Sequence, residues 1–319
     1  MKLRKLYETV VAQGIEADPR GKKAVHKILK KKNTSYKGMK KEDKEFFDVE
    51  SLTNPYADTR ILHGTGDEEV KTVIVGIDME IGELLLADRL SEKGQKIDLV
   101  IAHHPEGKAF ANFYEVMHMQ ADILSNFGVP INIAEDLLEG RIKEVERRLM
   151  PANHTRAVDA AKLLDIPFMC MHTPTDNMVA TYLQKLIDRK KPETLDDILK
   201  ILFDIPEYHK AAQNNAGPKI LIGSKERTAG RVFVDMTGGT EGAKDIFEGI
   251  ANAGISTIIA MHLSDEHRKK AEKHHLNVII AGHISSDNVG INLMFDEVQK
   301  KGSLNIIPCS GFRRFSRKK

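Results

Sequence analysis

A chain of 319 residues with 41% hydrophobic content and a net charge of +2 is long enough to bury a sizeable core, divided into two or three lobes. Aromatic residues make up only 6%, with no Trp, which argues against a binding surface built on stacked rings. Two cysteines, Cys170 and Cys309, exclude a disulfide framework and fit a reducing compartment, where Cys170 reads as a small core residue rather than a nucleophile.

The chain opens with MKLRKLYETVVAQG, which is basic and amphipathic but has no apolar stretch followed by a small-residue cleavage site. No run approaches the roughly 20 apolar residues that span a bilayer, so a cytoplasmic protein with no membrane partner is expected. Residues 1–66 read as a basic, mainly helical extension, lysine-rich through GKKAVHKILKKKNTSYKGMKKEDK and irregular around SLTNPYADTRILHGTGDEE. Its lysines and the closing GFRRFSRKK can neutralise nucleic-acid phosphates. A solvated helix face and a frayed tail are the plainer account, because no helix-turn-helix, finger or aromatic-rich strand pattern accompanies them.

From residue 67 the pattern changes. VKTVIVGIDM is a Val/Ile run of the kind buried on both faces of a parallel sheet, IGELLLADRLSEKG has helical spacing and a closing Gly, and IDLVIAHHPEG is a second buried strand. Strand, helix and strand in this order predict a right-handed crossover. The unit recurs near the C-terminus as GRVFVDMTGG, TEGAKDIFEGIANAG and ISTIIAMHLSDE. Each copy closes its first strand with Asp-Met (Asp78-Met79, Asp235-Met236) and follows its second with His, His103 matching His262. IPFMCMHTPTDN and LNVIIAGHISSDN then each place H-x-x-x-D-N after an apolar strand. The predicted fold is α/β, with two related lobes from an internal duplication, a helical N-terminal extension and an inserted helical segment. The boundaries are 1–66 extension, 67–136 first lobe, 137–225 helical connection carrying HTPTD, and 226–319 second lobe with GHISSD and the basic tail.

Three stretches carry metal-binding residue types: His103-His104, His172 with Asp176, and His283 with Asp287. Loops at the C-terminal ends of parallel strands gather on one edge, so all three are expected to meet there. Imidazole with carboxylate is the donor set of Zn, Mn or Fe rather than Ca. Adjacent strand residues point to opposite faces, but at a strand end before Pro105 the two imidazoles can each serve one ion of a pair. His118, His154, His209, His267, His274 and His275 are expected to play no part, while His262 is an open case as ligand, ligand support or proton donor. The glycines of MTGGTEG read as a tight turn rather than an anion cradle, since neither dinucleotide nor P-loop spacing is present.

On IAHHPEG, MHTPTDN and VDMTGG…AGISTIIAMH…VIIAGHISSDNVGINL the chain resembles the NIF-three-like family of NGG-interacting-factor proteins, some described as GTP cyclohydrolase I type 2 homologues. The resemblance covers roughly residues 70–105, 165–185 and 228–298. It implies a dinuclear centre in an α/β fold and a ring-shaped homohexamer. Carried over by motif, the metal ligands fall on His103, His104, Asp176, His283 and Asp287, with His172 beside Asp176. Asp287 stands where the family has Glu, one methylene longer. The family's Trp-Asp-Asn motif is not evident, NPYADTRILHG standing there instead, and the gap between the paired histidines and the His-Thr motif is longer.

Two functions follow as expectations. One is a metal-dependent hydrolase acting on a nucleotide or other phosphorylated small molecule, with His172 or His262 as the catalytic imidazole and a GTP cyclohydrolase-like reaction as the special case the resemblance suggests. The other is a non-catalytic metal-binding or regulatory protein that stores or delivers metal or meets protein or nucleic-acid partners. Arg60 and His63 are the nearest candidates for gripping a substrate. A DHH-type phosphoesterase would carry Asp directly before the paired histidines, where this chain has Ala102.

Overall fold

The computed structural model describes residues 1–317, so Lys318 and Lys319 of the basic tail lie outside the described residues. The apolar β-branched runs form strands that assemble into two sheets. The first contains β1 (Arg60–His63), β2 (Thr72–Gly76), β3 (Leu99–Ala102) and β4 (Phe168–Cys170), and the second β5 (Lys219–Ile222), β6 (Val232–Asp235), β7 (Thr257–Ala260) and β8 (Asn277–Ile280). A last strand, β9 (Asn305–Pro308), returns to the first sheet beside β2. The orders are β1-β4-β3-β2-β9 and β5-β8-β7-β6. The central strands β3 and β7 are buried along their whole length, as parallel strands covered on both faces must be.

The two sheets repeat each other in detail. In each, the strands run parallel except for one antiparallel strand that closes an edge; four are parallel in the first sheet, β9 included, and three in the second. Each edge strand also slips register at the same place, between Ile61 and His63 and between Ile220 and Ile222. Ala102 faces Gly76 and Cys170 in one sheet, while Ala260 faces Asp235 and Ile280 in the other. This register corrects the motif alignment. His104, not His103, is the counterpart of His262, because each lies two residues beyond its paired Ala. The H-x-x-x-D-N motifs are likewise one residue out of step. His172 precedes the helix Thr173–Lys190, whereas His283 is the first residue of the helix His283–Val298.

The helical N-terminal extension packs on the first sheet: the helix Leu3–Glu16 buries Leu3, Leu6, Tyr7, Val10 and Val11, an i, i+3, i+4, i+7, i+8 stripe. That stripe joins Val73 and Ile101 of the first sheet and Ile291 and Phe295 of the His283–Val298 helix in one core. β1, from the same segment, is the first sheet's edge, and β4 and β9 come from the stretches assigned to the connection and the second lobe. Hydrogen-bonding of an edge strand depends on a distant partner, which local periodicity does not report.

The helices Thr173–Lys190 and His283–Val298 lie side by side between the sheets. At Gly290 a Cβ would stand 2.4 Å from the Thr175 carbonyl oxygen, so the approach requires glycine. Gly290→Ala is expected to destabilise the protein by about 1–3 kcal/mol by forcing the helices apart, read as a lower urea midpoint. An unchanged midpoint would show that the helices do not approach this closely.

Candidate metal centre

Three strand ends and two helix starts converge on one point. His103 and His104 leave β3 with their backbone N–H groups donating to Gly76 and Ile77 carbonyls, which turns the chain sharply and lets neighbouring imidazoles face the same space. Their ring centroids are 5.2 Å apart, and those of His103 and His172 are 4.8 Å apart. Asp176 lies in the first turn of its helix and Asp287 in the second turn of its own, both buried.

Each ring is held by its Nδ1. That of His103 lies 3.2 Å from the Met171 carbonyl oxygen and 3.0 Å from Thr175 Oγ1, whose own hydroxyl donates to the His172 carbonyl. His104 Nδ1 is 2.6 Å from Asp78 Oδ1, and His172 Nδ1 is 2.8 Å from Asp58 Oδ2. Asp58 is itself fully buried and accepts from the Thr173 backbone and hydroxyl. With Nδ1 donating, Nε2 carries the lone pair, and all three Nε2 atoms turn inward. Neither Asp58 nor Asp78 announces a supporting role in the sequence: Asp78 closes an apolar run like any strand-end residue, and Asp58 sits in aperiodic chain and reaches His172 across 114 positions.

The inward atoms are unsatisfied. His103 Nε2, Asp176 Oδ1 and both oxygens of Asp287 are buried with no hydrogen-bond partner. Asp287 Oδ1 is 3.4 Å from His103 Nε2, and its Oδ2 is 3.7 Å from His104 Nε2 and 3.8 Å from His283 Nε2. Asp176 Oδ1 is 3.5 Å from His103 Nε2, and its Oδ2 is 3.6 Å from His172 Nε2. The shorter Asp at 287 therefore addresses imidazoles on both sides. His103, Asp176 and Asp287 form one group that could hold a metal ion, and His104, His283 and Asp287 another, with Asp287 common to both.

Burial and the neighbouring imidazoles of His103 and His172 push His104 down to about 4, and burial likewise lowers His283. Both rings are then neutral at physiological pH, the form that binds a cation. Burial raises the Asp176 carboxyl well above 3.8; His103 opposes this and Asp287 adds to it. Burial pushes the Asp287 carboxyl up, but His103, His283 and His104 together hold it below its ordinary value. Cys170, pushed up to about 12 by burial, is a core thiol that donates to the Asp58 carbonyl.

A cavity of about 470 Å³ opens from this point between the lobes, lined at one end by His172, Asp176, His283 and Asp287. Along its wall the His262 ring lies 5.0 Å from that of His283, tilted by 56°, and places Nδ1 3.3 Å from Glu241 Oε1. The hydrogen bond to Glu241 raises His262 above 6.5, and Glu241 is held at about 2 by His262, His267 and the Ser264 N–H despite its burial. His267 is fixed by Ser264 and the Gly242 carbonyl. Asp235 opens into the same cavity, where enclosure by protein raises its carboxyl to about 6. MTGGTEG is a turn over the cavity: Gly238 has φ 95°, and Gln120 clamps the Gly238 and Thr240 carbonyls. Arg60 does not face this space; its buried guanidinium pairs with Asp48 and Glu50, and His63 lies 3.5 Å from Asp165.

Neither a family model nor a curated protein matches the chain. Solved structures do. A NIF3 superfamily protein from Sphaerobacter thermophilus is 29% identical with a TM-score of 0.67, over 80% of this chain and 91% of that one. Reduced HcgD from Methanocaldococcus jannaschii is 17% identical with a TM-score of 0.52, over 84% and 94%, a likeness of fold alone.

A buried carboxyl whose proton is held more tightly folded than unfolded favours the folded state below 3.8 and loses that advantage as pH rises through the raised folded-state value. In metal-free protein Asp176→Asn is therefore expected to remove this loss and to stabilise by about 1–3 kcal/mol at pH near 7. Urea titrations in chelator near pH 4 and 7 read the difference. Equal gains at both would contradict it.

Proposed function

The chain belongs to the NIF3-like superfamily, and from that premise we propose that it is a metal-dependent hydrolase holding two divalent transition-metal ions, Zn, Mn or Fe, between its lobes. The observation that carries the reading is the set of unsatisfied buried atoms on His103, Asp176 and Asp287. Leaving carboxylates buried and unpaired is strongly unfavourable, and a cation among them reverses the balance. The donors fit: one ion would be held by His103, Asp176 and Asp287, the other by His104, His283 and Asp287, with His172 orienting Asp176.

When bound, such a pair supplies Lewis acidity toward a phosphoryl or carbonyl oxygen. The chain's own residues do the rest. Asp58 and Asp78 fix the imidazoles of His172 and His104, so the donor set is oriented in advance. His262, whose hold on its proton is strengthened by the hydrogen bond to Glu241, would hand a proton to a leaving atom, a role we assign to it rather than to His172. The cavity has the size of a nucleotide-class ligand, which supports a nucleotide or other phosphorylated small molecule as substrate. GTP ring opening is the special case to test first. A cytoplasmic homohexamer remains part of the proposal. No helix among the described residues is long and apolar enough to cross a membrane.

The His262–Glu241 pair at the cavity wall favours an enzyme over a store or carrier of metal. Metal analysis of chelator-free protein is expected to return about two equivalents, with Asp287→Ala losing both and His283→Ala one. A phosphatase, phosphodiesterase and GTP-opening screen with each metal then tests turnover. His262→Gln is expected to lower kcat by about 10²–10⁴-fold with metal retained. In the unaltered enzyme kcat should fall as pH climbs past the raised His262 value, above 6.5. Absence of stoichiometric metal would sink the centre itself. Full occupancy with no turnover would instead favour the non-catalytic reading.

A further inference from the structure

The helix Lys22–Gly38 is an oddity of packing: across 17 residues it buries only Val25. Val25, Leu29, Asn33 and Tyr36 form its inward side, Leu29 packing on the core and Asn33 donating to the Leu52 carbonyl. On one flank of the helix, at about 100° per residue, Lys23, Lys27, Lys30 and Lys37 fall within roughly 40° of one line, with Lys31 and Lys32 off it. All four are exposed, and none makes an ion pair among the described residues. Lys22, at the start of the helix, pairs with Glu16 and stands off this line.

Like charges at such spacing repel and weaken an isolated helix, and this one recovers little through burial. The closing basic tail behaves differently. Arg314 is held by Asp296 and Arg317 by Glu207, so two of its three described arginines are neutralised within the molecule. The lysine line is an extended basic feature that makes no ion pair among the described residues. It runs for about 21 Å at 1.5 Å per residue.

We propose that the exposed lysine line of the helix Lys22–Gly38 docks the phosphate backbone of double-stranded nucleic acid without reading its sequence. A duplex presents a negative charge about every 1.7 Å along its axis, so a straight cationic line over this length meets a matching one. Lysine rather than arginine supplies point charges without the bidentate fork that reads guanine, which suits backbone contact alone. A membrane surface fits less well. Helices that lie in lipid headgroups present a free apolar face, and here the apolar side is already turned into the protein. The proposal does not depend on the metal centre.

Fluorescence anisotropy of the full-length protein with a labelled mixed-sequence duplex tests it. Binding is expected at micromolar Kd near physiological salt, independent of sequence, with a log–log salt slope of about −3 to −4 for four neutralised phosphates. The variant K23E/K27E/K30E/K37E should weaken binding at least about tenfold and flatten the slope. Lys→Arg at the same positions should preserve binding. The variant K93E/K190E/K219E/K301E, with the same charge change dispersed elsewhere, should retain most of it. Equal loss in both reversed variants, or a salt-independent signal, would overturn the proposal. So would lysine-dependent binding to phosphatidylserine vesicles that exceeds binding to the duplex. Unchanged thermal melting of the reversed variants confirms that the exposed sites were altered without unfolding.

Discussion

Two helices meet where Gly290 presses against the Thr175 carbonyl, and that contact brings two carboxylates from distant parts of the chain onto one spot. Asp176 and Asp287 each lie within two turns of a helix start, so small shifts of either helix would carry their oxygens out of reach of the imidazoles on β3. The helix Leu3–Glu16 packs against the same pair, and its apolar stripe shares a core with both the first sheet and the His283–Val298 helix. The N-terminus thus acts as a wedge that sets the centre's geometry from behind.

The duplication supplies the frame, and its imperfection supplies the site. Sheet order, strand direction and even the edge-strand slip recur in both halves. A perfect repeat would place the same side chains at equivalent points. Instead, His172 stands before its helix while His283 opens its own, and a one-residue step on a helix turns a side chain by about 100°. His172 is thereby buried and tied to Asp58, whereas His283 is the more exposed of the two rings lining the cavity. The first lobe contributes the adjacent histidines; the second contributes the shared carboxylate and the His262–Glu241 pair.

This arrangement sets stability against function. Four buried polar atoms without partners weaken a fold, and proteins keep such groups where something else satisfies them. The supporting contacts point the same way: the Nδ1 bonds of His103, His104 and His172 leave lone pairs inward, and depressed basicity keeps His104 and His283 neutral. The inward-facing set therefore has donors for a cation and few for anything else.

Much of this was legible in the residues themselves. Apolar runs ending in His-His-Pro, His-Thr-Pro-Thr-Asp and Gly-His-Ile-Ser-Ser-Asp mark strand ends, and parallel topology gathers strand ends on one edge, so the meeting of His103, His104, Asp176, His283 and Asp287 follows from local pattern and topology. The amphipathic stripe of the N-terminal helix was equally readable, though not the strands and helix it packs against. Other features depended on contacts between distant segments: β1 and β9 joining the first sheet, Asp58 reaching His172, Arg60 turning into ion pairs, and the one-residue offset that makes His104 rather than His103 the counterpart of His262. Periodicity encodes which face of an element is buried. Which partner it is buried against, and in what register, depends on long-range packing, and only the tertiary structure decided that.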